Sequence, residues 1–263
     1  TSEELFTVGK ALKEMGKPLG QALGHSLGDP PAFTYPYMWA YGAMEVEDDG
    51  ATVAFNKPEF VDGMGTFIQG WKDAFDETGL AWDDSANNTA FLSDQISATI
   101  NGSSIYIKAT GPEADGGVPA IAADINHADF PEGPAGRFTS LGAQSWGITS
   151  YSKNIDGAKS FLDYWYSTDQ LTSWLEANKG YYVPSMPDYT SLAVYTEDPK
   201  LAPFLNSVNY GRNKGYAGPS DDKAALAYSK YIVIDTFARA VQDGDAQGAI
   251  EWGAKQLERI YGE

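Results

Sequence analysis

The sequence predicts an α/β fold, on three observations. A short polar-capped helix at about 83–92 leads into Ile96-Ser-Ala-Thr-Ile100, whose alternation is that of a strand with one buried face, and Asn101-Gly102 ends it. Before this unit runs the clearest helix of the chain, with Phe60, Met64, Phe67, Trp71 and Phe75 spaced by three and four behind a first-turn Pro58. Two more amphipathic stretches, about 221–243 and 245–261, close the chain. In an open α/β sheet small ligands bind at the carboxyl ends of strands. Here that end gathers Asn101, Ser103 and Ser104, with Asp83, Asp84, Asn87 and Asn88 on the preceding helix.

Composition bounds the class. With 263 residues, 43% apolar and 13% aromatic, the chain can bury one large core or two smaller ones. A net charge of −18 argues against nucleic acid or an anionic membrane surface as partner. The absence of cysteine excludes disulfides, thiolate zinc and a thiol nucleophile, and His25 and His127 are too few and too far apart for a His-rich metal or triad site. No metal or cofactor is expected. No apolar run is long enough to span a bilayer, and no signal peptide opens the chain, so it is either cytoplasmic or begins after processing or truncation.

In order, Thr1-Ser-Glu-Glu4 fits a capping box for a first helix, with Leu5, Val8, Leu12 and Met15 as its buried stripe and Gly16 as its stop. Residues 20–37, rich in proline and aromatics, read as loop, and Met38, Trp39 and Tyr41 as a short helix ended by Gly42. Glu45 to Gly50 reads as an acidic turn, and Gly63 and Gly65 suggest close packing of the helix behind Pro58. The tract 111–136 reads as irregular around a short strand near Ile121 to Ile125, and 141–151 as a strand. Helices are expected at about 156–167 and 169–178, an extended piece at 181–184, a helix from Asp198-Pro199 to about Asn209, and a loop at 211–220. Trp71, Trp165, Trp174 and Trp252 lie on helical stripes and read as structural.

The paired Asp83 and Asp84 could be the acid and base of a glycosidase, but adjacent residues cannot flank a scissile bond from opposite sides, and helix capping accounts for at least one. Trp82-Asp-Asp-Ser-Ala-Asn-Asn, Phe91-Leu, Ile100-Asn-Gly-Ser-Ser-Ile-Tyr, Pro131-Glu-Gly-Pro-Ala-Gly-Arg, Tyr151-Ser-Lys-Asn, Ala158-Lys-Ser-Phe-Leu and Gly215-Tyr-Ala-Gly-Pro, in that order, resemble the extracellular solute-binding proteins of bacterial ABC transporters, the maltose-binding-like family. The resemblance covers essentially the whole chain. It implies a periplasmic-binding-protein-like fold of two α/β lobes that close on a sugar or polyol. The implied receptor is non-enzymatic, periplasmic, extracellular or lipid-anchored, monomeric when intact, and delivers its solute to membrane permease subunits. A carbohydrate-active enzyme of the glycoside hydrolase kind is the alternative. Family members carry a further N-terminal segment that forms most of the first lobe, and this chain begins where that segment ends. The second lobe is then 1–144 with 194–263, and 145–193 belongs to the first lobe, with a face left uncovered if the rest is missing.

The resemblance also implies the site. Asp84 accepts hydrogen bonds from solute hydroxyls, while Asn87 and Asn88 read either as partners of the same kind or as exposed polar positions. A pyranose lays its C–H face on an aromatic ring, so Phe33, Tyr35, Tyr37 and Trp39 of the 29–39 stretch are candidates, with Trp39 the one better explained as core. Pro30 or Asp29 occupies the place of an acidic ligand-binding position. Ser104 stands where better-known sugar binders carry a stacking tryptophan, and Tyr106 is the ring that stands in for it. Gln144, Ser145 and Trp146 lie at the crossing between lobes. The Tyr216-to-Ser220 loop precedes a helix whose N-terminal N–H groups either face a solute oxygen or are ordinarily capped.

Overall fold

The computed structural model describes residues 1–142 and 144–262. Helix α1 is Ser2–Glu14, and its capping box forms as the sequence requires: Glu4 N–H donates to the Thr1 hydroxyl, and the Thr1 amino group reaches the Glu4 carboxylate at 2.8 Å. Its buried side is Ser2, Phe6 and Gly9, whereas Val8 and Met15 are 57% and 77% exposed. The stripe therefore lies to one side of the predicted one, because Phe6 is the residue that reaches the aromatic core.

Helix α2 is Asp29–Ala40, where a loop was expected. Pro30 and Pro31 fall in the first turn, where no N–H is needed, and only Pro36 removes a bond from the interior. Ten of its twelve residues are buried, so it is apolar all round and lies within the core. Helix α3, Pro58–Ala74, buries the predicted Phe60, Met64, Phe67 and Trp71, while Phe75, also buried, stands just past its end in extended backbone. Gly63 packs as its position suggested: a Cβ there would stand 2.4 Å from the Tyr41 ring, whereas one on Gly65 would meet nothing. Behind these helices lies a minimal parallel pattern in which Leu19 bridges both Phe75 and Ala98. Leu19 N–H donates to Ala74 O at 2.9 Å, Gly20 N–H to Ala98 O at 2.9 Å, and Ser97 N–H to Pro18 O at 2.9 Å. The predicted strand at 96–100 thus takes part as one bridge beside 19 and not as a full ladder.

Helix α4 is Ala86–Leu92 and α5 is Ser104–Ala109. Helix α6, Pro119–Asp124, replaces the strand expected near Ile121; Pro119 at its first position lacks the N–H that a strand would need there. Strand β1 is Thr139–Ser140 and pairs in parallel with β2, Gly211–Arg212. The strand expected at 141–151 is not formed: 144–149 has no regular structure and is largely exposed, and Ala143 lies outside the described residues. Helices α7 (Ile155–Trp165) and α8 (Thr168–Ala177) match expectation, α9 is Ala193–Thr196, and α10 (Ala202–Asn206) sits between short 3₁₀ turns over the predicted 198–209 stretch. The helix expected over 221–243 is two, α11 (Asp222–Ser229) and α12 (Ile232–Asp243), broken where Tyr231 adopts φ 57°. Helix α13, Ala246–Tyr261, ends the described chain.

The core is one aromatic mass built by α1, α2, α3, α12 and α13. Phe67 stands within 6.4 Å, centroid to centroid, of Phe6, Phe33, Tyr37, Trp71, Phe75 and Phe237. Residues 144–193 sit apart from it. There a chain of rings, Trp146, Phe161, Trp165, Trp174 and Tyr182, runs in successive contacts of 4.7 to 6.1 Å, and Trp146, Tyr151, Phe161 and Tyr164 are all exposed.

Candidate functional site

The segments at 19–23 and 98–100 run parallel, so their carboxyl ends share one edge, and the polar residues of the site are tied together there. Gln21, buried, accepts from Ile100 N–H at 3.2 Å and donates to Asp29 O at 3.4 Å. Asn87, fully buried, donates to the Asp29 carboxylate at 2.7 Å and to Thr99 at 3.3 Å. Burial, reinforced by the neighbouring Asp84 charge, pushes the Asp29 carboxyl up to about 6 against the opposing bond from Asn87. Asn101 donates to Asn88 at 2.5 Å, and Asn88 to Ser104 at 3.3 Å.

Asp84 holds the entry to α2. Its carboxylate accepts from the Ser26 hydroxyl (2.7 Å) and from the N–H groups of Gly28 (3.1 Å) and Asp29 (2.7 Å), placing a negative charge at a helix N-terminus. Only glycine fits at 28, where a Cβ would stand 2.8 Å from the Asp84 carboxyl carbon. Asp83 serves a different cap, accepting from Ser85 and Ala86 N–H at the start of α4. The two adjacent carboxylates thus point to separate tasks. Replacing the side chain of Asp84 with Ala is expected to cost about 1 kcal/mol, as for other lost caps. Urea denaturation checks this, and a midpoint equal to wild type would mean the loop holds without it.

Beside this network lies a cavity of about 350 Å³. Distant stretches meet in its wall, among them Gln21 from the first parallel segment, Thr99 and Asn101 from the second, His127 and Asp129 from the tract after α6, and Tyr210 before β2. Phe130 and Phe204 supply aromatic surface. Asp129 is fixed by the Tyr210 hydroxyl (2.5 Å) and the Arg137 guanidinium (3.2 Å), and burial together with that carboxylate raises the Tyr210 phenol far above its ordinary range. The His127 imidazole sits below its usual value, because burial and the Lys200 charge oppose a further proton.

Of the residues expected to touch a solute, Asn101 lines this cavity, and Asn87 and Ser104 are one hydrogen bond away from its lining residues Thr99 and Asn101. Asp84 stands one residue further, through its bond to Asp29 N–H. Phe33 and Tyr35 correct the expectation: both are 1% exposed in the core, and the Tyr35 hydroxyl donates to buried Glu45 at 3.0 Å, so neither ring is open to a solute. Ser103 is buried and donates to Gly180 O at 3.2 Å. The Tyr106 hydroxyl donates to Asp198 at 2.5 Å, a bond that pushes its phenol up to about 12. Gln144 is exposed, and Trp146, 53% exposed, packs on Phe161 and Trp165 in the separate ring chain. Tyr216 lies under the Arg212 guanidinium at 5.1 Å and beside Trp39. Ser220 donates to Lys214 O, and the helix after it is capped by Asp221, which accepts Ala224 N–H at 3.0 Å, so ordinary capping holds there. His127, Asp129 and Tyr210 were not singled out by sequence. Their one local signal was a histidine and an aspartate two apart inside a stretch otherwise read as loop.

Comparison with known proteins bears on this arrangement. No curated protein matches the chain. A crystal structure of a sugar transporter from Arthrobacter chlorophenolicus A6 with bound laminaribiose is similar in fold at 14% identity, with a TM-score of 0.73 over 97% of this chain and 64% of that one. The chain therefore spans about two thirds of the length of that protein. The family model of bacterial extracellular solute-binding proteins matches residues 1–203, most of the sequence. The chain belongs to the bacterial extracellular solute-binding proteins.

Proposed function

We propose that this protein is the solute-capturing receptor of an ABC importer, that it binds a neutral sugar or polyol, and that it hands this solute to membrane permease subunits from a periplasmic or extracellular position. The observation that carries the reading is the wall of the 350 Å³ cavity, at the small end of ligand sites, where the rings of Phe130 and Phe204 join mostly uncharged polar groups, with Gln21, Thr99 and Asn101 at the carboxyl ends of the parallel segments. A sugar needs this mixture: an apolar face for its C–H surface and anchored partners for its hydroxyls. The similar structure holding laminaribiose supports the same solute class.

The division of the chain is proposed with it. Residues 1–144 and 194–263 form the second lobe and 145–193 belong to the first, a reading supported by the separateness of the exposed ring chain from the main core. Isothermal titration calorimetry against glucose, maltose, laminaribiose, glucitol and glucuronate tests the function. At least one neutral member is expected to bind with a Kd on the order of 1 μM, and Phe204→Ala and Asn101→Ala to weaken it by roughly tenfold to thirtyfold. Titrations without heat for every compound would sink the reading.

A further inference from the structure

His127 occupies a defined chemical state in the cavity wall. Its Nδ1 lies 2.8 Å from Lys200 O. A carbonyl oxygen only accepts, so Nδ1 carries the hydrogen, and in the neutral ring Nε2 is then a bare lone pair. That nitrogen has no hydrogen bond among the described residues, and the ring is only half-buried. The ring is also fixed in direction. Phe204 meets it edge-on at 4.8 Å and Tyr106 at 5.2 Å, and Tyr106 is itself held by Asp198.

We infer that His127 is a specificity-determining residue of the proposed solute site, its Nε2 accepting the hydrogen of a solute hydroxyl and so selecting neutral hydroxylated solutes over sugars that present a carboxylate. This inference rests on the sugar or polyol reading above. A carboxylate has no hydrogen to give to the lone pair, and it would meet a second acceptor in Asp129. The nearest cations point elsewhere: Arg137 pairs with Asp129 and Glu132, and Lys200 reaches the carbonyls of Ala122 and Ala123 and lies over the Tyr106 ring. Among the described residues no lysine or arginine lines the cavity, so an anion entering it meets no positive partner in the wall.

The charged groups acting on His127 are Lys200 and Asp198; the phenol of Tyr106 meets the ring at its edge, Asp129 and Tyr210 share the cavity wall, and Arg137 and Glu132 lie behind Asp129. Burial comes first among the causes and favours the neutral ring. Acidification adds the missing hydrogen to Nε2 and converts the acceptor into a donor.

The test is calorimetry on the full chain with the same panel, between about pH 5 and 8, for wild type, His127→Phe and His127→Gln. Wild type is expected to bind a neutral sugar or polyol well near pH 8, to lose roughly tenfold in affinity toward pH 5, and to give no heat with glucuronate. His127→Phe is expected to be roughly tenfold weaker near pH 8 with no acid loss, whereas His127→Gln, which keeps an acceptor and does not titrate, is expected to retain most of the affinity at both ends. If His127→Phe matches wild type in affinity and in acid loss, or glucuronate binds as tightly as glucose, the role of His127 is overturned while the receptor reading stands. If wild type binds nothing in the panel, the receptor reading fails and takes this role with it.

Discussion

Phe67→Ala should lower the stability of the protein by about 4 kcal/mol, the cost of removing a large buried aromatic and leaving a cavity that its neighbours fill only in part. Phe67 is fully buried, and six other rings stand within 6.4 Å of it, from α1, α2, α3, α12 and the segment after α3. Its loss therefore weakens the packing of α3 against α1, α2 and α12 at once. Each ring also loses an edge or tilted partner, a preference worth about 1 kcal/mol per pair beyond area. In a domain of this size the midpoint of thermal unfolding should fall by roughly 8–16 °C. Urea denaturation followed by circular dichroism measures the effect directly, and Phe67→Leu should recover most of it. A midpoint within about 1 °C of wild type would mean that the core is not built around this ring.

The second large effect is a pH dependence centred on Glu45. Its carboxyl is fully buried, and desolvation pushes it up to about 7, against the pull of Gly215 N–H at 2.7 Å, the Tyr35 hydroxyl at 3.0 Å and the Lys214 charge. The fold thus favours the protonated acid, whereas the unfolded chain holds an ordinary glutamate near 4.5. The folded state binds the extra proton between those values, so this group's contribution to stability is present below about pH 4.5 and is lost as pH rises through about 7. The loss amounts to about 3 kcal/mol at most. Glu45→Gln keeps an acceptor for Gly215 and does not titrate. Its stability relative to wild type should therefore rise between about pH 4 and 8 by up to that amount. Denaturation curves of the two proteins that stay parallel across this range would show that Glu45 is not held neutral.

How much of this was legible depended on whether the information was local. The capping box at Thr1 and the stripe behind Pro58 each fit within a few turns, and both formed where the residues placed them. Helix α2 was hidden because three prolines within seven residues signal a loop, and only the surrounding core makes a helix of them. The strand at 96–100 was visible by alternation, yet it appears as one bridge, since a parallel partner 79 residues away leaves no trace in the local pattern. The site divides in the same way. Asn101, which lines the cavity, follows a turn visible in the local residues, whereas Asp84 and Asn87 cluster beside it but hold the entry to α2 and the buried network instead of lining the cavity. His127, Asp129 and Tyr210 could not be read, because the cavity is closed by distant stretches that meet only in three dimensions. Phe33 and Tyr35 were misplaced for the complementary reason: aromatics suited to stacking on a sugar are equally suited to stacking on each other.

The burial of α2 has a consequence for how the molecule comes apart. A helix with prolines at its second, third and eighth positions has little tendency to exist alone, and here it is enclosed by the elements it supports. Shedding α3 or α12 would therefore strip α2 of the contacts that hold it, and releasing α2 would empty the centre of the core. The segment acts as a keystone that makes the helical core a single cooperative unit, and through Asp84 and Gly28 at its first turn it passes that rigidity to the polar edge where the solute is proposed to sit.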